Sequence, residues 1–448
     1  MTRTSLTILI ALVFGGAPGL AQTATPAAVP LTLDEAIAQG LANSRRLADI
    51  QARVDAAGFV VKQQATGDRP DVSLQGGYTR TNHVEEFAIA FPLRPDQVVY
   101  PDIPDNFRTR LDLRWPIYTA GRVDALERAA QAEQNAVGEE LATARSDLRL
   151  EITRAFWALV TARETESVLA RSLDAINAQV RDLRSRFSSG LIPPNDVSSA
   201  EAQASRQHVL SIEATNARAI AEADLRRLTG IESAGTIEPR ENLTVPPPAT
   251  PASPASARLD ALIADALQGR SERRALADRA QSAEERAQAS KASGRPQLAL
   301  GAGYDYARPN PRIFPRSGDW KTSWDVSIDV SWSLWDSGRR GAEQGEAIAT
   351  ARSITARIGD FDRQLTFEVR QRTLQLDSSR AAVSASEDEV RAALDAERIV
   401  GERYRVGVAT PTDVLDAQVA RLQAELDRTR AIANVRLAEA QLQRALGR

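Results

Sequence analysis

The chain has 448 residues, no cysteine, two histidines and one methionine, which excludes disulfides, thiolate metal sites, a lipidated cysteine and most soft-metal chemistry. A formal net charge of −3 gives no basic surface for nucleic acid. Hydrophobic residues at 43% and charged ones at 26%, with aromatics at only 5%, describe long helices with narrow apolar seams.

Residues 1–21 read as a signal peptide: Arg3 is basic, Leu6 to Phe14 is apolar, and Gly19-Leu20-Ala21 offers small residues before Gln22. The apolar run is too short to span a bilayer, and no later stretch suits a transmembrane helix. Any membrane contact of the mature chain must therefore be made by strands.

From residue 22 to 230 the order is helix, strand, loop, strand, very long helix, tight turn, helix. A strand is expected over about 71–82, where Val72, Leu74 and Tyr78 oppose Ser73, Gln75 and Thr79, and another over about 107–118, where Arg110, Asp112 and Arg114 form the polar side. No proline occurs from Ile117 to Ile192, and Leu148, Ile152, Phe156 and Leu159 recur at helical spacing. A helix over about 121–188 would be roughly 100 Å long at about 1.5 Å per residue, a rod suited to coiled-coil packing. Residues 231–257 hold Pro239, Pro246, Pro247, Pro248, Pro251 and Pro254, and read as an extended linker, an equatorial segment draped across the outside of the helices.

Residues 258–448 repeat this plan. Arg69-Pro70 returns as Arg295-Pro296, and WPIYTAGR from Trp115 returns as WSLWDSGR from Trp332. Gly190, Asp196-Val197 and Gly230 return as Gly407, Asp413-Val414 and Gly447. The second copy predicts strands over about 297–308 and 323–335 and a helix over about 340–405. In the last strand Trp324, Val326, Ile328, Val330, Trp332 and Leu334 face one way, and Asp325 and Asp329 stand among serines on the other.

Strands of this length, apolar on one face and charged on the other, match an outer-membrane barrel, with Trp115, Trp324 and Trp332 as its aromatic girdle. A soluble sandwich would need a second sheet that the chain does not supply. Four strands leave open edges, which lipid does not tolerate. Two copies would close a barrel filled by side chains, whereas three would close twelve strands around a lumen, and the small inward residues favour a passage. The expected fold class is mainly α with a β sector, completed as a homotrimer.

Beyond these patterns, the element order, the repeat and two turn motifs resemble the TolC-like outer-membrane efflux proteins over essentially the whole mature chain. Tyr404-Arg-Val-Gly407-Val-Ala-Thr410-Pro-Thr-Asp413-Val-Leu-Asp416 is similar to that family's second helical tip. Phe187-Ser-Ser-Gly190-Leu-Ile-Pro-Pro-Asn-Asp196-Val197 is similar to the first, and LTLDEAIAQGLANSRRL to its opening helix. The resemblance implies a passive exit duct for efflux or type I secretion, in the outer membrane with a long periplasmic tunnel. Its partners would be a periplasmic adaptor and an inner-membrane pump of the proton-driven RND or the ABC type. The carboxylates are scattered along helix faces beside arginines and no nucleophile–base set stands out, so no enzymatic activity, cofactor or metal is expected.

The resemblance also places a periplasmic gate at Asp413, Asp416, Asp196 and Tyr404, and adaptor contacts at Gly190, Leu191, Gly407, Val408 and Thr410. Three copies would gather six carboxylates of Asp413 and Asp416 around one axis, attracting cations and raising one another's pKa. Asp413 also reads as the cap of the following helix, and Asp416 sits in its first turn. Gly190 and Gly407 read as left-handed residues that end long helices. An arginine that can latch the family's closed mouth is replaced by Ala409, so a mouth less firmly shut is expected. His83 and His208 read as exposed polar residues, and Gly301-Ala-Gly303, inside a strand, is no nucleotide motif. The alternative reading is a trimeric coiled-coil adhesin or periplasmic scaffold, against which the inward charges of the four strands argue.

Overall fold

The computed structural model describes residues 28–92, 94–233, 235–243 and 255–448. The expected signal segment, and residues 244–254 of the proline-dense linker, lie outside the described residues. In the first copy, helices α1 (Leu33–Asn43) and α2 (Arg45–Gln64) lead into strand β2 (Asp71–Arg80). Then come β3 (Phe87–Phe91), β4 (Arg94–Tyr100), β5 (Asp105–Tyr118), α3 (Arg122–Ser188) and α4 (Pro194–Thr229). The second copy runs α5 (Ala255–Gly269), α6 (Ser271–Ala292), β7 (Gln297–Arg308), β8 (Lys321–Ser331), α7 (Arg339–Arg405) and α8 (Pro411–Ala445).

Helix α1 starts at a reciprocal cap: Thr32 Oγ1 accepts from Glu35 N at 3.2 Å, and Glu35 Oε2 accepts from Thr32 N at 2.8 Å. Two short strands, β1 (Val29–Leu31) and β6 (Ile237–Pro239), pair in parallel beside it. Ile237 is buried, and its N–H donates to Glu222 Oε1 at 3.0 Å. Burial pushes the Glu222 carboxyl up, but Arg226, that N–H and Arg218 outweigh it and hold it below the usual range. The described part of the linker is thus stitched to the helices rather than hanging as a tether.

The repeat is visible in backbone angles and in packing. Positive-φ glycines pair between the copies: Gly121 with Gly338, Gly190 with Gly407, and Gly230 with Gly447. Left-handed Ala120 and Ser337 precede the first of these pairs. The seam residues Leu148, Ile152 and Leu159 of α3 are buried, as are Leu365, Val369 and Leu376 at the matching positions of α7. Each seam closes its own core, one around Phe156 and Leu225 and the other around Ile432 and Leu442. Along the rods, α3 packs between α2 and α6 near the sheet and between α4 and α8 further away, while α7 packs on α6 and then α8.

The four long strands form one antiparallel sheet in the order β2-β5-β7-β8, and the outer edges of β2 and β8 have no partner among the described residues. Two strand expectations need correction. The last strand stops at Ser331, because its partner β7 begins only after Pro296, which has no N–H to extend the ladder. Trp332 therefore lies just past the strand, where its indole donates to Gly294 O at 3.1 Å. Trp115 does the same in the first copy, donating to Asp68 O at 3.0 Å. The second correction is that the segment between the first pair of strands is no plain loop. It carries the β3–β4 hairpin, in which Phe87 opposes Tyr100 and Ile89 opposes Gln97.

Candidate functional site

Strand register decides which side chains share a face. Across the sheet Val72, Leu113, Ala302 and Val326 stand in one row, and Leu74, Leu111, Tyr304 and Trp324 in the next. These apolar positions have no second layer over them among the described residues; Trp324 is 71% exposed and Ile328 68%. At the end remote from the helices Tyr78, Phe107, Tyr306 and Trp320 form a continuous aromatic row, with centroids 4.7–5.8 Å apart. Trp115 and Trp332 stand at the helix end. Phe107 and Trp115 lie about 27 Å apart along β5 at ~3.4 Å per residue, close to the ~25 Å apolar band of an outer-membrane barrel. The outer row lies next to Trp324, one of the residues expected to form a girdle, and the sequence pattern does not reveal it because Trp320 falls outside strand β8.

The opposite face carries the charges. Arg110 sits at its centre, with Nε donating to Asp112 Oδ1 at 2.6 Å and Nη1 to Asp325 Oδ1 at 3.1 Å, and it also bonds Asp305. Arg108 Nε holds the other oxygen of Asp305 at 2.6 Å. Gly303 makes the reach possible: a Cβ there would overlap the Arg110 guanidinium, which crosses β7 to reach Asp325 on β8. The sequence shows these charges on one face, but not that one arginine ties three strands together.

At the far ends of the rods, two tips repeat one geometry. Gly190 has φ +69° and Gly407 φ +78°. Leu191 N donates to Arg186 O at 3.0 Å, and Val408 N to Arg403 O at 2.8 Å, the six-to-one bond of a glycine-ended helix. Leu191 and Val408 project into solvent. The cap of α8 is Thr410, so Asp413 is its reciprocal partner rather than the cap itself. Asp413 Oδ2 accepts from Thr410 N at 2.7 Å and from its hydroxyl at 2.8 Å. The Thr410 N–H and hydroxyl hold the Asp413 carboxyl below the usual range within one copy. Asp416 is exposed one turn on.

Tyr404 and Asp196 are not hydrogen-bonded to each other in the protomer. Asp196 Oδ1 accepts from Asn195 at 3.0 Å, and the buried Tyr404 hydroxyl has no partner among the described residues. Arg186 lies 5.0 Å from the Tyr404 ring centre and Asp182 accepts from Arg186 Nε at 2.9 Å, a pair that sequence reading missed. Burial pushes the Tyr404 hydroxyl pKa up. Elsewhere, His83 Nδ1 lies 2.7 Å from Asp102 in the loop beyond β2, and that contact lowers the Asp102 pKa. The described residues contain no cluster of metal ligands, and no helix long and apolar enough to cross a membrane.

The profile of the family described as "Outer membrane efflux protein" matches residues 36–231 and 262–448. The outer membrane protein TolC of Vibrio cholerae is 23% identical over 420 residues, spanning 93% of this chain and 90% of the relative. Among solved structures, VceC from Vibrio cholerae superposes with a TM-score of 0.75 at 22% identity, covering 93% of this chain and 96% of its own. The open-state outer membrane channel MtrE of Neisseria gonorrhoeae superposes with a TM-score of 0.74 at 17% identity, covering 93% and 88%. At such identities the superpositions show a common fold.

Proposed function

The chain belongs to the outer membrane efflux protein family, passive channels of the outer membrane and not enzymes, and from that premise we propose that three copies close a twelve-strand barrel whose helices extend it as a periplasmic duct. The observation that carries this reading is the unfinished sheet: one layer thick, bare on its apolar face, and unpaired at β2 and β8. Lipid penalises each open backbone group by several kcal/mol, so the two edges must meet other copies. The helices are unfinished in the same sense. Exposed Phe367, Leu374, Leu394 and Ile399 lie on α7, and Val209, Ile212 and Ile220 on α4, the two flanks of the helical layer. Native mass spectrometry of the detergent-extracted protein should give a threefold mass; a stable monomer without detergent would overturn the reading.

The tips support docking of a periplasmic adaptor, with Leu191, Val408 and Thr410 as contacts around Gly190 and Gly407. Energy would come from an inner-membrane pump, proton-driven or ABC, and the cargo would be small toxic compounds or a secreted protein. The export signal of residues 1–21 is part of this proposal. At the mouth, Asp413 and Asp416 would ring the axis. The Thr410 bonds favour charged Asp413, opposing the mutual repulsion that three copies would add. Tyr404 keeps an unsatisfied hydroxyl for an acceptor such as Asp196 on an adjacent copy. Ala409 adds no cationic latch. A single-channel current in planar bilayers well above that of a firmly closed relative is expected, and an equally small one counts against the loose mouth.

A further inference from the structure

A sheet of one layer should be open on both sides, yet the part of β7 remote from the helices, from Gly303 to Arg308, is exposed on one side only. Tyr304, Tyr306 and Arg308 on the lipid-facing side are exposed, while Gly303, Asp305, Ala307 and Pro309 between them are buried. Ala307 is only 1% exposed. Arg108 and Arg110 cover Asp305, and Pro309, Pro311 and Arg316 of the segment between β7 and β8 line one hollow with Ala307.

That segment turns back over the polar face and is fastened at several points. Asn310, 2% exposed, donates from Nδ2 to Lys321 O and to Ser323 Oγ, both at 3.0 Å. Arg312 N donates to Asn310 Oδ1 at 2.9 Å. The Arg312 side chain donates to Trp324 O at 2.9 Å and to Asp325 Oδ1 at 3.2 Å, so it reaches the charged face beside Arg110. Arg316 bonds Tyr100 Oη at 3.0 Å and stacks over its ring at 4.8 Å, which joins the segment to the β3–β4 hairpin. Between segment and sheet is a cavity of about 350 Å³, lined by Gln75, Thr79, Arg108, Arg110, Pro311 and Arg316.

We propose that Pro309–Arg316, the first part of that segment, is a cap folded over the outer lumen, a second constriction that sets a size limit on what leaves the duct, while Gly318 and Trp320 return to the other side beside Arg308 and Tyr306. This rests on the barrel reading, in which the charged face is the lumen wall. The cap is separate from the helical mouth and on the opposite side of the membrane, and its pins Arg312–Asp325 and Arg316–Tyr100 are polar and partly in water. Such contacts open more readily than a packed core.

The chain has no cysteine, so one introduced thiol is unique. Ala307→Cys, at the 1%-exposed position under the cap, is treated in intact cells with a sulfonated dye maleimide too large for general porins. Labelling should be slow, and about tenfold faster when Arg312→Ala is added, the shift that loss of one charge-assisted hydrogen bond permits. Arg316→Ala, which frees the other pin, serves as an independent variant should Arg312→Ala fail to reach the membrane, and should also speed labelling. Equal labelling rates with and without the released pins overturn the cap. Leu74→Cys faces the lipid and should stay unlabelled throughout. Should it react as fast as Ala307→Cys with the pins released, the barrel itself is wrong and the cap falls with it.

Discussion

Gly77 and Gly303 both lie on the charged side of the sheet, and a side chain at each would meet different surroundings. Nothing stands within 4 Å of a Cβ at Gly77, whereas at Gly303 it would strike the Arg110 guanidinium. Gly303→Ala should therefore destabilise the sheet by about 1–3 kcal/mol, the usual cost of forcing bulk into a filled site. Gly77→Ala should be neutral or slightly stabilising, since glycine in a strand costs conformational entropy. Thermal unfolding in detergent separates the two, and equal midpoints would dismiss the Arg110 clasp. The sequence marks the glycines and the charges but not their meeting, because cross-strand neighbours are set by register between segments almost two hundred residues apart. The role of Asp413 has a related lesson: Thr410-Pro-Thr-Asp413 contains both halves of a reciprocal cap, and the φ/ψ of Thr410 decides which residue is the cap.

Among the elements, the two copies are joined where α8 returns to the start of α6. Arg444 lies 2.7 Å from Asp147 of α3, and it also bonds Glu272 at the start of α6. Arg270 donates to the Arg444 and Ala445 carbonyls at 3.3 Å, closing the C-terminal end of α8. In the first copy Asn43 performs this task, donating to Thr229 O at 2.8 Å. Burial pushes the Glu272 carboxyl up, but Arg444 and Arg270 outweigh it and hold it below its usual range. A lowered carboxyl pKa adds stability that is complete above the unfolded value of about 4.3 and is lost as pH falls through the folded value. Arg444→Met should cost about 2 kcal/mol at neutral pH, less than the ~3–5 of a fully buried pair because Glu272 keeps some contact with water. The gap between variant and parent should narrow below about pH 4. Unfolding midpoints at pH 7 and pH 3.5 check this; a gap that widens in acid would contradict the assignment.

At the scale of the whole molecule, the chain ends its packing with apolar flanks. Phe367, 67% exposed on α7, has no reason to be phenylalanine in an isolated subunit. If the proposed trimer covers this face, Phe367→Glu should leave the subunit fold intact and deplete trimers, since an unpaired carboxylate buried there would cost several kcal/mol. Crosslinking in membranes reads the trimer fraction directly, and an unchanged fraction would move the contact to another face. Periodicity of two and of three to four and a proline-free run mark the two long rods and the four long strands, because those signals depend only on neighbours along the chain, and the repeat marks that the plan occurs twice. Neither the end of the last strand nor the hairpin that fills the first loop was legible. Tertiary structure alone decided that Arg110 spans three strands, that the β7–β8 segment turns inward, and that Arg186 lies beside Tyr404. Each of these depends on which distant segment comes to lie alongside, and one residue of register would exchange the two faces of the sheet.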